Sequence, residues 1–554
     1  MAKETPNAAF TRAVTRLNNK NDIDLWTTSS LLSCIEYFDG REHPYHFLMP
    51  TINVQNLIML PRAILESKAN NYKTNSLLSS DVPYVFNALN DAASIPGLLD
   101  GADAGDIRLR RFMATIAGVQ FRFQERDLRD RLGRSYALLD VIPRQFREEL
   151  QERQRGDFLD LPVVVPQQIG LTVQEFILIG FGIIGLLRTR FAENFTISDE
   201  LRNYAMEVRP DYDIRQAQVL FRIIDTSKQR LGFLRFVPEQ LVVAELQTFT
   251  LPKIQQYLNH MARTKRQLQL LLSRPEYNVG YISNRLNPLE RYPILQLTDK
   301  SYVVPNLRFL DLSLSEALHF MLQDHYPNNR YNRLRGYTQE VYLRSLIQTR
   351  LPELVIIPEL SYQRRRQEVS GPDLTVIDRR TNQLIVVESK AKRMRVATRV
   401  EPGTSALIED LNAAFEALER LPQKIDELYA GIPEYEMYQD AINLTQGKPP
   451  IAVVVLGEGV YLLPELVDDY LRADSTHWLN QYSIPYCLMQ LDSFEDAVEV
   501  AAAENGFLYD ILAEYIRISR EGLPHEHTAE AFHGRDIEKQ FTNMYTRLLF
   551  QHPY

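Results

Sequence analysis

The sequence predicts an α/β C-terminal domain built on a mixed central sheet and preceded by a large, mainly α-helical N-terminal region. Three observations lead there. Up to about residue 290, amphipathic stretches at helical spacing are separated by Pro, Gly and Asn/Asp clusters. Near residue 293 the pattern changes to short apolar runs with turn residues between them. From about residue 331, helical and strand-like segments alternate, as they do in a sheet covered by helices. A chain of 554 residues has room for several domains. Four segments are expected: a helical regulatory or assembly region (1–290), a β-hairpin and connector (291–330), the α/β domain (331–520) and a helical tail (521–554).

In the first segment the clearest predicted helix covers residues 253–274. Ile254, Tyr257, Leu258, Met261, Leu268, Leu271 and Leu272 share one stripe, and Pro252 and Pro275 bracket it. Residues 176–187 carry no charge, but twelve residues fall short of the roughly 20 a membrane span needs, so they read as a buried helix. The hairpin pairs residues 294–297 with 302–304 around Thr298-Asp299-Lys300-Ser301. A helix over 332–350 then precedes strands at 354–362, 372–377 and 384–389. The next helix starts at Ser405, an N-cap, with Leu407, Ile408, Leu411, Phe415 and Leu418 on one face and Pro422 marking its end or a kink. Residues 451–456 are uniformly apolar, as in a strand covered on both faces. A helix over 463–471, a strand over 486–491 and a helix over 494–518 capped by Ser493 complete the series.

Composition narrows the class. The apolar share of 45% and charged share of 24% are those of a globular protein, and Gly plus Pro make up too little for a collagen-like or Pro/Gly-rich disordered chain. Two cysteines, Cys34 and Cys487, cannot build a disulfide scaffold, so a reducing, cytoplasmic setting without a secretory signal is expected. A net charge of −9 gives no bulk attraction to polyanions. Any such attraction must be local, and residues 362–399 supply it: ten Lys or Arg against Glu368, Asp373, Asp378 and Glu388. The arginines of 108–134 interleave with Phe112, Phe121 and Phe123 and read as a charged helix face. His525, His527 and His533 read as surface residues, and Gly457-Glu458-Gly459 as a turn. No P-loop and no serine nucleophile elbow occurs.

The chemistry gathers at Gly371-Pro372-Asp373 and, fourteen residues later, Glu388-Ser389-Lys390. Asp and Glu are hard oxygen ligands suited to Mg²⁺ or Mn²⁺, and a neighbouring Lys can orient a water and offset negative charge. Glu388 and Lys390 lie on one face of their strand. A symmetric turn centred between Arg380 and Thr381 places Asp373 opposite Glu388, with Cβ atoms about 4.5–5.5 Å apart, so that the two carboxylates share one ion.

Read as Pro372-Asp373 and Glu388-Ser389-Lys390 within an αβββαβ order, residues 331–500 resemble the PD-(D/E)xK, or restriction-endonuclease-like, nucleases. The resemblance implies metal-dependent hydrolysis of phosphodiesters in nucleic acid, DNA favoured, with Asp373 and Glu388 on the ion and Lys390 at the attacking water. It adds Glu340 on the preceding helix as a further carboxylate, and Ser389 joins the candidate ligands. Arg364, Arg365, Arg366, Lys392, Arg393 and Arg395 are the expected nucleic-acid contacts. Some members carry Gln and Tyr four apart on the following helix; here Gln423 and Tyr429 are six apart. Multidomain nucleases of this make-up are often bacterial defence effectors, and the helical region is expected to form a homo-oligomer or bind a partner protein. The rival expectation is a nuclease fold kept as an inactive scaffold or nucleic-acid sensor. A membrane partner is not expected.

Overall fold

The apolar stripe of residues 253–274 organises the first part of the fold, but not as one helix. The computed structural model describes residues 5–34, 37, 54–70, 72–73, 81–93, 128–194, 232–243, 248–279, 285–326, 329–364, 367–391, 404–457, 484–503, 506–520 and 544–551. The helix Leu251–Met261 stops where Ala262 turns extended, strand β1 (Ala262–Thr264) follows, and a second helix, Lys265–Leu272, resumes the stripe. Two local forces break the expected helix. Thr264 and Gln267 close a capping box, each side chain accepting a hydrogen bond from the other's backbone N–H. The freed segment pairs in parallel with β2 (Ile294–Gln296), which pairs antiparallel with β3 (Tyr302–Val303) across the expected hairpin. With the helices Pro6–Leu17, Asp22–Cys34, Val54–Glu66 and Asp81–Ala93, this small sheet encloses a core around Trp26, Phe86 and Phe309.

The alternating segments become β4 (Val355–Pro358), β5 (Ser361–Arg364), β6 (Gln367–Ser370), β7 (Leu374–Asp378), β8 (Gln383–Lys390), β9 (Ile451–Leu456) and β10 (Tyr486–Gln490). The strand expected over 354–362 is therefore split. Its second half, polar and exposed at Gln363 and Arg364, leaves the sheet and forms a two-stranded ribbon with β6. The main sheet runs β10-β9-β8-β7-β4, antiparallel from β4 through β7 to β8 and parallel from β8 to β10. Between β7 and β8 the register is the predicted one: Leu374 faces Val387 and Asp378 faces Gln383.

The helix Arg330–Arg350 precedes this sheet, and Thr404–Tyr429, with Pro422 inside it, links β8 to β9. The single helix expected over 494–518 is two, Leu491–Ala503 and Leu508–Arg520, interrupted near the Asn505-Gly506 turn signal. Ser493 lies inside the first of them rather than at its cap. The helix expected over 463–471, the three tail histidines and residues 108–127 lie outside the described residues. Of the arginines in that basic run, Arg131 pairs with Asp311 and Arg134 with Glu495 in partly buried contacts, as a structural role requires.

Strand alternation sorts the sheet's side chains onto two faces. Ile377, Leu384, Val386, Ala452 and Val454 pack against Leu411, Phe415 and Leu418 of the Thr404–Tyr429 helix. Leu374, Val376, Ile385, Val387 and Val453 face a core shared with the helices Val173–Asn194, Leu307–His325, Arg330–Arg350 and Met544–Gln551. Helices from far upstream thus wall one side of the sheet. Leu307–His325, in the stretch read as a connector, contributes to this core and to the one around Trp26. A fragment starting at residue 300 would uncover side chains whose burial contributes about 1.5–3 kcal/mol each. Residues 176–187 sit within Val173–Asn194, with Phe176 and Ile183 fully buried. Among the described residues no single helix is long and apolar enough to cross a membrane; Leu161–Ile169 and Val173–Asn194 pass that test only jointly, across a 55° bend.

Candidate active site

The site forms where β7 begins and β8 ends. Pro358 pairs with Leu374, and Ser361 with Ser370. Between those pairs, Glu359 and Leu360 stand on one side against Gly371, Pro372 and Asp373 on the other. The extra residue bends the chain as a β-bulge does. The Gly371 N–H donates to the Leu360 carbonyl (2.9 Å), and the Ser389 N–H donates to Asp373 Oδ2 (2.7 Å), fixing the carboxylate beside the end of β8. Position 371 must be glycine because an added methyl group would overlap the buried Tyr435 hydroxyl and come within 3.3 Å of the Leu360 carbonyl. Gly371→Ala is accordingly expected to cost about 1–3 kcal/mol in urea unfolding. Wild-type stability would mean that Tyr435 moves aside freely.

Glu388 and Lys390, two residues apart, share the face covered by Thr404–Tyr429. Lys390 Nζ donates to Glu388 Oε2 (2.9 Å) and lies 3.5 Å from Asp373 Oδ2, so the three residues converge as expected. A second ammonium completes the group: Lys424 donates to Glu388 Oε1 and to the Gly371 carbonyl (2.8 Å). Burial alone would raise the Glu388 pKa, but the two lysines hold it below the usual carboxylate value. Burial would likewise lower that of Lys390, yet Asp373 and Glu388 hold it above the ordinary value.

On the other side of Asp373 stand Glu340, from the Arg330–Arg350 helix, and Glu359, at the end of β4. One carboxylate oxygen from each of Glu340, Glu359 and Asp373 lies within 4.8 Å of the others. Arg153, from the helix Arg147–Gln154, reaches in between them: its Nη2 is 2.6 Å from Glu340 Oε2 and donates to Glu359 Oε2. Glu340 Oε2 is buried and, despite that ion pair, accepts no well-directed hydrogen bond. Burial, then the neighbouring Asp373, pushes the Glu340 pKa up to about 8. Burial, then Glu388, raises that of Asp373 to about 6.

With all four carboxylates ionised the group carries one more negative charge than its three cations, and with Glu340 protonated, as its raised pKa favours at neutral pH, the charges balance. The all-oxygen donor set suits a hard divalent ion. Ligands on one Mg²⁺ are about 3 Å apart when adjacent and about 4.2 Å when opposite, so the three oxygens, now within 4.8 Å of one another, would have to draw together to share it.

The carboxylates grouped closely enough for an ion differ from the expected pair of Asp373 and Glu388. Both oxygens of Glu388 are taken by lysines, and the carboxylates grouped with Asp373 are Glu340 and Glu359. Alternation turns the Ser389 side chain to the face covered by the Arg330–Arg350 helix, where its hydroxyl accepts from Gln339 Nε2 (2.9 Å), while its backbone N–H orients Asp373. Gln423 hydrogen-bonds Glu427, and the Tyr429 hydroxyl bonds that of Thr445, so neither joins the group. Arg364 lies on the outer ribbon and pairs with Glu427 (3.1 Å). Arg365, Arg366, Lys392, Arg393 and Arg395 lie outside the described residues. Sequence reasoning missed Glu359, Lys424 and Arg153. Lys424 had a visible signal, a lysine on the same helix stripe as the apolar Leu421, Ile425 and Leu428.

No protein-family model matches this chain, and neither the curated proteins nor the solved structures contain a match.

Proposed function

We propose that this protein is a metal-dependent nuclease that hydrolyses phosphodiester bonds of nucleic acid, DNA first, using Mg²⁺ or Mn²⁺. The observation that carries the proposal is the convergence of Asp373, Glu388 and Lys390 at the end of one hairpin, with Glu340 and Glu359 beside them. It fits the resemblance of Pro372-Asp373 and Glu388-Ser389-Lys390 to the restriction-endonuclease-like pattern, as does a mixed sheet flanked by helices. Asp373, Glu340 and Glu359 are the proposed ion holders. A divalent ion bound there supplies positive charge to a phosphate oxygen and acidifies a water. Lys390, kept charged by its two carboxylates, orients the attacking water and offsets charge growing on the phosphate. Glu388 holds Lys390 and Lys424 in place. The upstream helices are read as controlling this chemistry rather than performing it.

One observation favours a second reading, an inactive scaffold or nucleic-acid sensor. Arg153, Lys390 and Lys424 already balance most of the carboxylate charge, so the group also works as a self-contained ion-pair network. Full-length protein incubated with single- and double-stranded DNA and RNA separates the two. Cleavage with Mg²⁺ or Mn²⁺ that stops in EDTA is the expected result. Binding without cleavage under every metal would favour the scaffold, and undiminished hydrolysis by metal-free protein in EDTA would remove the metal site.

A further inference from the structure

We propose that Arg153 is a removable internal cation: it occupies the carboxylates that would bind the metal, so the helical region sets when the site can be loaded. The idea rests on the nuclease reading and concerns how that same site is regulated. A single guanidinium nitrogen of Arg153 touches both Glu340 Oε2 and Glu359 Oε2, two of the three proposed ion holders. A divalent ion on those oxygens would sit about 2.0–2.1 Å from each, inside the space the nitrogen fills. Two cations cannot share that position, so metal and Arg153 exclude one another.

The anchorage of Arg153 is separable from the site. Its helix Arg147–Gln154 is short and is held to the body by buried Leu150 and by the ion pair of Glu149 with Arg344 (2.9 Å at the longer contact), neither of which touches the cluster. The Arg153 guanidinium stacks 4.5 Å over the Tyr337 ring, one turn before Glu340 on the same helix. Releasing the guanidinium from Glu340 and Glu359 removes two of the ties on this short helix, so metal loading loosens residues 147–154. Competition for one position is reciprocal: whatever weakens Arg153 strengthens metal binding, and metal weakens the hold of Arg153.

The test is Mn²⁺ titration by calorimetry of full-length wild type and Arg153→Gln, with Arg153→Gln/Glu340→Gln as a third protein. Arg153→Gln is expected to bind Mn²⁺ about tenfold more tightly than wild type, within the range of ordinary couplings, and the double variant is expected to lose that gain. Equal or weaker binding by Arg153→Gln overturns the latch and leaves the metal site standing. No binding by wild type or Arg153→Gln overturns the metal site itself, and the latch with it. Undiminished binding by the double variant puts the ion elsewhere and also overturns the proposal. Should Arg153→Gln fail to fold, hydrogen exchange on the wild type decides the matter. Saturating Mn²⁺ should speed exchange in residues 147–154, and unchanged or slower exchange counts against the latch.

Discussion

Lys390→Ala is expected to slow cleavage by at least about 10²-fold, the cost of deleting one preorganised charge from an active site, while lowering unfolding stability by no more than about 3 kcal/mol, because its two buried carboxylates keep other partners. The reason lies in what each neighbour keeps. Glu388 retains Lys424 on its other oxygen, and Asp373 retains the Ser389 N–H. The lysine sits at the last position of β8 with a quarter of its side chain exposed, so its loss opens no core cavity. Single-turnover cleavage at saturating metal, read beside a urea melt, checks both halves. A variant that cuts at the wild-type rate removes Lys390 from the mechanism, whatever its stability.

Glu340→Gln is expected to stabilise the metal-free protein at pH 8 and to abolish its stabilisation by Mn²⁺. A carboxyl lifted from 4.5 to about 8 on folding stays protonated in the native state over a range where the unfolded chain has released its proton. Native stability therefore falls as pH rises from about 4.5 to about 8, and Asp373, raised to about 6, adds the same sign over a lower window. Glutamine removes the larger of these penalties, of order 1–3 kcal/mol, and Arg153 still keeps Glu359. Because a metal needs both carboxylates ionised, Mn²⁺ affinity of the wild type should climb between pH 6 and 8 with release of protons. Thermal melts in EDTA and in Mn²⁺ across that range measure both effects. Affinity that stays flat with pH would mean that these acids are not ligands.

How much of this site the sequence displays depends on how local its geometry is. Asp373 and Glu388 are joined by one short hairpin, so counting back from Arg380 and Thr381 locates each against the other, and the observed pairing of Leu374 with Val387 agrees. Glu359 also comes within 4.8 Å of Asp373, but the β5–β6 ribbon and an extra residue intervene, and a strand read straight through to residue 362 hides it. Arg153 arrives from a different helix altogether, through packing that no periodicity reports. The broken helix at Ala262 is the opposite case: Thr264 and Gln267 spell a capping box in four residues, and the longer apolar stripe on either side masks it.

The wall of upstream helices has a consequence for the order in which the molecule is made. Synthesis runs from the N-terminus, so Arg153 leaves the ribosome about 190 residues ahead of Glu340. At 5–20 residues per second that is roughly 10–40 s. Arg153 has thus already been synthesised when each acidic residue of the cluster emerges, so a cation belonging to the same chain is at hand as the carboxylates assemble. A nascent chain carrying this order of parts holds its own counter-charge before any of the acidic cluster has been made.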